Sequence, residues 1–196
     1  MSTSLFPPDV HRTWDIRDWR HGTAILATEF PDQFAELVAV MRDFRLLRSH
    51  IVQAGGRKSP IAQVIDDAFA QHGWKEHSFD VRIVVDKHTY KTATHAVDYF
   101  KNRIAVETEW NNKDPFYHRD LNNFRLLFDA RVISVGVVVT RSSELQTIFN
   151  QVGKGKSYGQ STTHMGKLLP IVESDNVGGC PLIALGITER LYDPNN

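Results

Sequence analysis

Residues 103–113 read RIAVETEWNNK, and two glutamates, Glu107 and Glu109, interrupt an otherwise apolar, β-branched run. Side chains on a strand alternate, so both carboxylates point to one face while Val106, Thr108 and Trp110 point to the other. Asp98 lies nine positions before Glu107. With a turn at Lys101-Asn102, Asp98 falls on the neighbouring strand and approaches Glu107 from the side. Two converging carboxylates, with the main-chain carbonyl of Thr108, supply the hard oxygen ligands that Mg²⁺ takes. A water retained by that ion could attack a phosphorus atom in line. On pattern alone a second reading stands beside this one, a solvated face whose glutamates pair with nearby Lys or Arg. The company favours the metal: Asp98 at a turn-related distance, apolar flanks, and a polar Asn111-Asn112-Lys113 directly after.

The elements that must position these groups follow from periodicity. Residues 31–53 carry apolar side chains at helical spacing, from Phe34 through Leu37, Val38, Met41, Phe44 and Leu47 to Ile51, with Pro31 suited to the first turn. AGGRKSP reads as a loop within one domain, and Ser59-Pro60 opens a second helix closed by Gly73. The period then changes. FDVRIVVD (79–86) and RIAVETEW (103–110) read as strands, with YKTATHAVDYF extended between them. A helix over 118–131 precedes VISVGVVVT, whose nearly unbroken apolar run suits a central strand covered on both faces. Ser142 suits the N-cap of a helix over SSELQTIFNQVG. MGKLLPIVES reads as a last helix, bent or begun near Pro170, and CPLIALGI as a last strand. Helices before and after a mixed central sheet make an α/β protein, read as a single domain over 1–196.

Bulk composition bounds the class. The 196 residues suffice for one domain with a full-sized core. Lys plus Arg equals Asp plus Glu at 23 each, so global charge does not announce a nucleic-acid binder, although a basic cleft can hide in a neutral total. Cys180 is the one cysteine, which excludes an internal disulfide and suits a reducing compartment. With neither a signal-like N-terminus nor a membrane-length apolar stretch, the expectation is a cytoplasmic protein without a membrane partner.

The run from Asp98 to Lys113, DYFKNRIAVETEWNNK, resembles the active-site hairpin of the BglII/BstYI family of type II restriction endonucleases. These are relatives of BamHI within the PD-(D/E)XK nucleases. The likeness extends upstream to SPIAQVIDDAFAQHGWK and downstream through ISVGVVV and GKSYGQS to CPLIALGI, covering residues 57–187. It implies a restriction-endonuclease-like fold, a mixed central sheet flanked by helices. It also implies Mg²⁺ held by Asp98 and Glu107, double-stranded DNA as partner, and a homodimer matching a palindrome. Glu109 stands where the wider superfamily has lysine and this family glutamine or, in the BamHI type, glutamate. A glutamate there cannot supply positive charge, but it can orient water or accept its proton. Asp66 resembles a further acidic site residue, with Asp67 competing for the match. By the same resemblance the target contains GATC flanked by one specified pair on each side.

For reading DNA, Asn111, Asn112 and Lys113 leave the acidic strand beside the proposed metal, and Asn and Lys can bond adenine, guanine or phosphate. Asn-Asn-Lys-Asp-Pro is also good turn chemistry. Arg119 is a candidate phosphate or base contact, or else a surface ion pair. The basic, hydroxyl-rich loop from Gly153 to Met165 offers Lys154, Lys156, Ser157, Tyr158 and Gln160, and Ser157-Tyr158 resembles a pair in the family's recognition loop. GKS there is not a P-loop, because the glycine required five positions before Gly155 is Asn150, so no nucleotide cofactor is expected. The histidines show no H-x-x-x-H spacing, which argues against zinc, and no G-x-S-x-G elbow supports a hydrolase triad. The four tryptophans and Cys180 read as core. The expectation is a Mg²⁺-dependent nuclease. A DNA-binding protein that keeps the fold without cutting is the alternative, and an interaction protein with a solvated glutamate pair the third reading.

Overall fold

The computed structural model describes residues 2–53, 58–91, 95–113 and 115–196. After a 3-10 turn and a short helix, α1 (Pro8–Thr13), come β1 (Trp14–Trp19), α2 (Gly22–Glu29) and α3 (Pro31–Asp43). Strand β2 (Leu46–Leu47), α4 (Arg48–Val52) and α5 (Pro60–Gln71) lead to β3 (Lys75–His77), β4 (Arg82–Val85) and β5 (His88–Lys91). Then β6 (Val97–Lys101), β7 (Ile104–Thr108), α6 (Phe116–Asp129) and β8 (Val135–Arg141) follow in turn. The chain closes with α7 (Leu145–Gln151), α8 (Met165–Glu173), β9 (Leu182–Ile187) and β10 (Tyr192–Asp193). It is an α/β structure with a six-stranded mixed sheet in the order β1-β9-β8-β7-β6-β3. The middle strands β7, β8 and β9 are parallel, and β1, β6 and β3 join antiparallel. Every residue of β8 is buried, as its apolar run requires.

The two faces of the sheet differ in side-chain size, and that difference places the site. One face carries Ile104, Val106, Val135, Val137, Val139, Ile183 and Leu185 and packs against the N-terminal helices and α7. The other carries Ala105, Gly136, Val138 and Ala184 under α6 and α8. Ala105 and Gly136 are register partners, so they leave a shallow trough. Phe124 of α6 fills it: a Cβ added to Gly136 would stand 2.6 Å from the Phe124 ring. Asp120 lies one helical turn before Phe124 and so faces the same sheet surface. Close approach of α6 therefore brings Asp120 down onto the continuation of that surface, where Glu107 and Glu109 stand.

Several expected elements differ. The helix expected over 31–53 divides, because Phe44 turns extended and Leu46, fully buried, pairs with Tyr192 in a parallel two-residue ladder. The strand expected over 79–86 shrinks to Arg82–Val85 and pairs with β5 alone, as a hairpin outside the sheet with Val84 65% exposed. Its place beside β6 goes to β3, a pairing that periodicity cannot specify. Ser142 does not cap α7: the helix begins three residues later, with Glu144 at the cap position and no side-chain cap bond. By contrast Ser59 caps α5, its hydroxyl accepting from the Ala62 amide at 3.1 Å. The helix with Pro170 starts at Met165 and runs through the proline. Trp14, Trp74, Trp110 and Cys180 are buried, and Trp19 is partly buried. Most of AGGRKSP and residues 92–94 of the extended segment lie outside the described residues. No described helix is long and apolar enough to cross a membrane.

Gly136→Ala is expected to destabilise the fold by roughly 1–3 kcal/mol, as overpacking does, measured by urea denaturation. Unchanged stability would contradict the close approach of α6.

Candidate active site

The hairpin of β6 and β7 closes through Asn102-Arg103, whose φ angles of 45° and 69° belong to the primed two-residue turns that suit twisted strands. The turn falls one residue later than Lys101-Asn102. Its ladder runs from Lys101↔Ile104 to Tyr99↔Val106. Beyond that pair, side chains take over from the main chain. The Thr108 amide donates to Asp98 Oδ2 at 2.9 Å, and the Asp98 amide donates to Glu107 Oε2 at 3.3 Å. Asp98 and Glu107 are thus fixed across the mouth of the hairpin.

Over this mouth sits Asp120, fully buried on α6. Its Oδ1 lies 3.0 Å from His95 Nε2, which in turn stands 3.3 Å from Glu107 Oε1. Arg119 donates to the same Asp120 oxygen from Nε and Nη2, and its Nη2 is 3.7 Å from Glu109 Oε1. The Asn112 amide donates to Glu109 Oε2 at 2.7 Å. The main chain of Glu109 is equally fixed. Its amide donates to the Val139 carbonyl, and its carbonyl accepts from the Thr140 and Thr163 hydroxyls. Since the Thr140 proton is used there, the buried Tyr117 hydroxyl donates to Thr140, at 2.7 Å.

Four carboxylates therefore meet where, among the described residues, His95 and Arg119 are the cations in direct contact. The energetic consequence is visible in the acidities. Burial, then the Asp120 and Asp98 charges, push Glu107 up to about 8 against the pull of His95. Burial and Asp120 push Glu109 up to about 9 against Asn112 and Arg119. Asp98 is raised as well, first by burial, with the Thr108 amide opposing. Burial disfavours charge on His95, but the Asp120 and Glu107 carboxylates outweigh it and hold the imidazolium to about 9. Glu107 Oε1, Asp120 Oδ2 and His95 Nε2 are buried without a hydrogen-bond partner. Orphaned acceptors beside excess negative charge fit a divalent cation, and carboxylate oxygens fit Mg²⁺.

The other sequence candidates separate into groups. Asp66, on the inner side of α5, accepts from the Tyr99 hydroxyl and pairs with Lys58, on the sheet face away from Asp120. Asp67 is exposed and bonded to Gln63. Lys58, Thr108, Asn111, Asn112, Lys154 and Ser157 line one open cleft of about 360 Å³. Tyr158 also lines it, but its ring is buried, stacked on Phe149 at 4.4 Å, and anchors the loop. Buried Arg141 holds that loop from beneath, donating to the Tyr158 and Gly159 carbonyls and to Thr162. Lys113 bridges to Thr162, while Lys156 and Gln160 are exposed away from the cleft lining. His95 and Asp120 escaped sequence reasoning. They come from separate elements and share no local spacing with Glu107, so no motif could group the three that the fold brings together.

A mixed sheet between helices, carrying buried acids at a hairpin mouth, defines the restriction-endonuclease-like class. The chain matches the restriction endonuclease BglII/BglIII family model over residues 14–187, from the first residue of β1 to the last of β9. It belongs to that family. It is therefore a type II site-specific deoxyribonuclease, a hydrolase whose partner is double-stranded DNA. No curated protein matches the chain.

Burial pushes Glu107 up to about 8, so a cation held by that carboxylate would displace its proton. Mg²⁺ binding is expected to release protons at pH 7 and to tighten as pH rises from about 6 to 9. Calorimetry in two buffers of different ionisation enthalpy reads this; heats that do not depend on the buffer would contradict it.

Proposed function

We propose that the chain cuts duplex DNA in a Mg²⁺-dependent reaction at a short palindrome, with the active site at the mouth of the β6–β7 hairpin. The observation that carries this reading is the convergence of Asp98, Glu107, Glu109 and Asp120 in a buried cluster short of cations among the described residues. Asp98, Glu107 and the Thr108 carbonyl would hold the ion. When bound there, a divalent cation supplies positive charge to the phosphate and to the departing oxygen.

The chain's own groups do the rest. Glu109 holds the attacking water and takes its proton as the oxygen attacks phosphorus in line with the leaving oxygen. Asn112 and Arg119 fix the Glu109 carboxylate in one orientation. Asp66 acts through Lys58, holding that ammonium at the cleft, where it meets phosphate. Asn111, Lys154 and Ser157 face the same cleft as DNA contacts, with Lys113, Lys156 and Gln160 as further contacts outside its lining. By resemblance to the family we take the target to contain GATC flanked by one specified pair on each side. A two-fold dimer suits a palindrome, since protein symmetry then mirrors DNA symmetry. Mapping the ends of digested DNA tests the target; a monomer in sedimentation on DNA would reject the dimer.

Plasmid DNA incubated with Mg²⁺ is expected to give discrete fragments that EDTA suppresses, and DNA retained uncut under both conditions would refute the proposal. Glu107→Ala is expected to abolish cleavage while folding and DNA binding persist; retained cutting would remove Glu107 from the site. Glu109→Gln, which can still orient the water but cannot take its proton, is expected to lose activity by about 100-fold or more. Activity kept within a smaller loss would leave Glu109 the orienting role alone.

A further inference from the structure

Glu107 presents its two oxygens in opposite directions. Oε2 turns to the Asp98 amide, on the side assigned above to Mg²⁺, whereas Oε1 turns to His95 and Asp120. On that second side, Nε2 of His95 stands 3.0 Å from Asp120 Oδ1 and 3.3 Å from Glu107 Oε1. These distances suit ion pairs, yet the imidazole nitrogen and Glu107 Oε1 have no hydrogen-bond partner. Two ligands each ~2.1 Å from one cation stand ~3.0 Å apart at a right angle and ~3.4 Å apart at the tetrahedral angle. Both pairs that include His95 have the spacing of adjacent ligands, and the three ligand atoms lie within 4.8 Å of one another. Glu107 and Asp120 are 2% and 0% exposed, so they are fixed before any ion arrives.

We propose that His95, Glu107 and Asp120 form a second cation position, which takes a divalent transition ion such as Mn²⁺ in preference to Mg²⁺, with Glu107 bridging the two positions. The inference rests on the reading of Glu107 as a cation ligand. The chemistry that separates the positions is the imidazole. Mg²⁺ takes oxygen and keeps its waters, whereas Mn²⁺, Co²⁺ and Zn²⁺ accept imidazole nitrogen. On binding here such an ion would displace the proton of the His95 imidazolium to solvent. Arg119 bonds the Asp120 oxygen from outside, orienting that carboxylate as outer partners of metal ligands do. A site of one nitrogen and two carboxylates leaves positions open for water or a phosphate oxygen.

The test is pulsed electron paramagnetic resonance of the full chain loaded with Mn²⁺, alongside equilibrium titrations with Mn²⁺ and Mg²⁺. The wild-type chain is expected to show imidazole nitrogen coupling to Mn²⁺ and to bind Mn²⁺ about tenfold or more tighter than Mg²⁺. His95→Gln, which keeps size and polarity, is expected to lose the coupling and about 10- to 100-fold in Mn²⁺ affinity, with circular dichroism unchanged. Asp120→Asn is expected to weaken Mn²⁺ in the same way. Wild-type protein without nitrogen coupling would overturn the proposal whatever the variants do, and coupling that survives His95→Gln would equally overturn it. Mg²⁺-dependent plasmid cleavage reads the nuclease proposal separately. Cutting without nitrogen coupling sinks this inference alone, whereas coupling without cutting sinks the cleavage proposal alone.

Discussion

The structure is organised around carboxylates buried together where, among the described residues, too few cations stand to neutralise them. Burying an isolated ionised carboxylate is costly, and such groups normally neutralise, pair or bind metal. Here Glu107, Glu109 and Asp120 are almost wholly buried, beside half-buried Asp98. The protein holds them through main-chain amides, the Asn112 side chain, His95 and Arg119. Burial first, and the neighbouring carboxylates after it, push Glu107 and Glu109 well above the usual carboxylate range. A fold that kept this arrangement for packing alone would gain by replacing the acids with apolar groups, which suits a site retained for chemistry.

The scaffold makes the arrangement rigid from two sides. Beneath, the small residues Ala105 and Gly136 let α6 descend until Phe124 fills the trough, and the same descent carries Asp120 to the hairpin mouth. Beyond the end of β7, the Tyr117–Thr140–Glu109 hydrogen-bond chain fixes the main chain that presents the last glutamate. The cleft beside it is a separate construction. Its wall is a loop held by Arg141 and by the Phe149–Tyr158 stack, so polar tips such as Lys154 and Ser157 stay available while the loop's interior is packed. Rigid acids and an adaptable polar rim are what site-specific cutting of a polyanion needs.

The acidic hairpin was legible because its information is local. Alternation aligns Glu107 with Glu109, and the turn-sized gap to Asp98 sets the two strands opposite each other. The buried run of β8 was legible for the same reason. Where partners are distant in sequence, pattern fell short. His95 and Asp120 join Glu107 from a connecting segment and a helix, with nothing in their spacing to mark them. Residues 79–86 have strand composition, yet which strand they accompany is a tertiary choice, and β3 takes the place beside β6. Strand β1 alternates Trp14 and Ile16 inward with Asp15 and Arg17 outward, but its charged residues mask its β character. Asp66 matched a motif, whereas the fold engages it with Tyr99 and Lys58.

On the proposed function, these acids hold a divalent cation between the strands of the hairpin. Anomalous diffraction from crystals soaked in Mn²⁺ tests it most directly. Density is expected within coordination distance of Asp98, Glu107 and the Thr108 carbonyl. Bound ions elsewhere, with this hairpin mouth left empty, would contradict it.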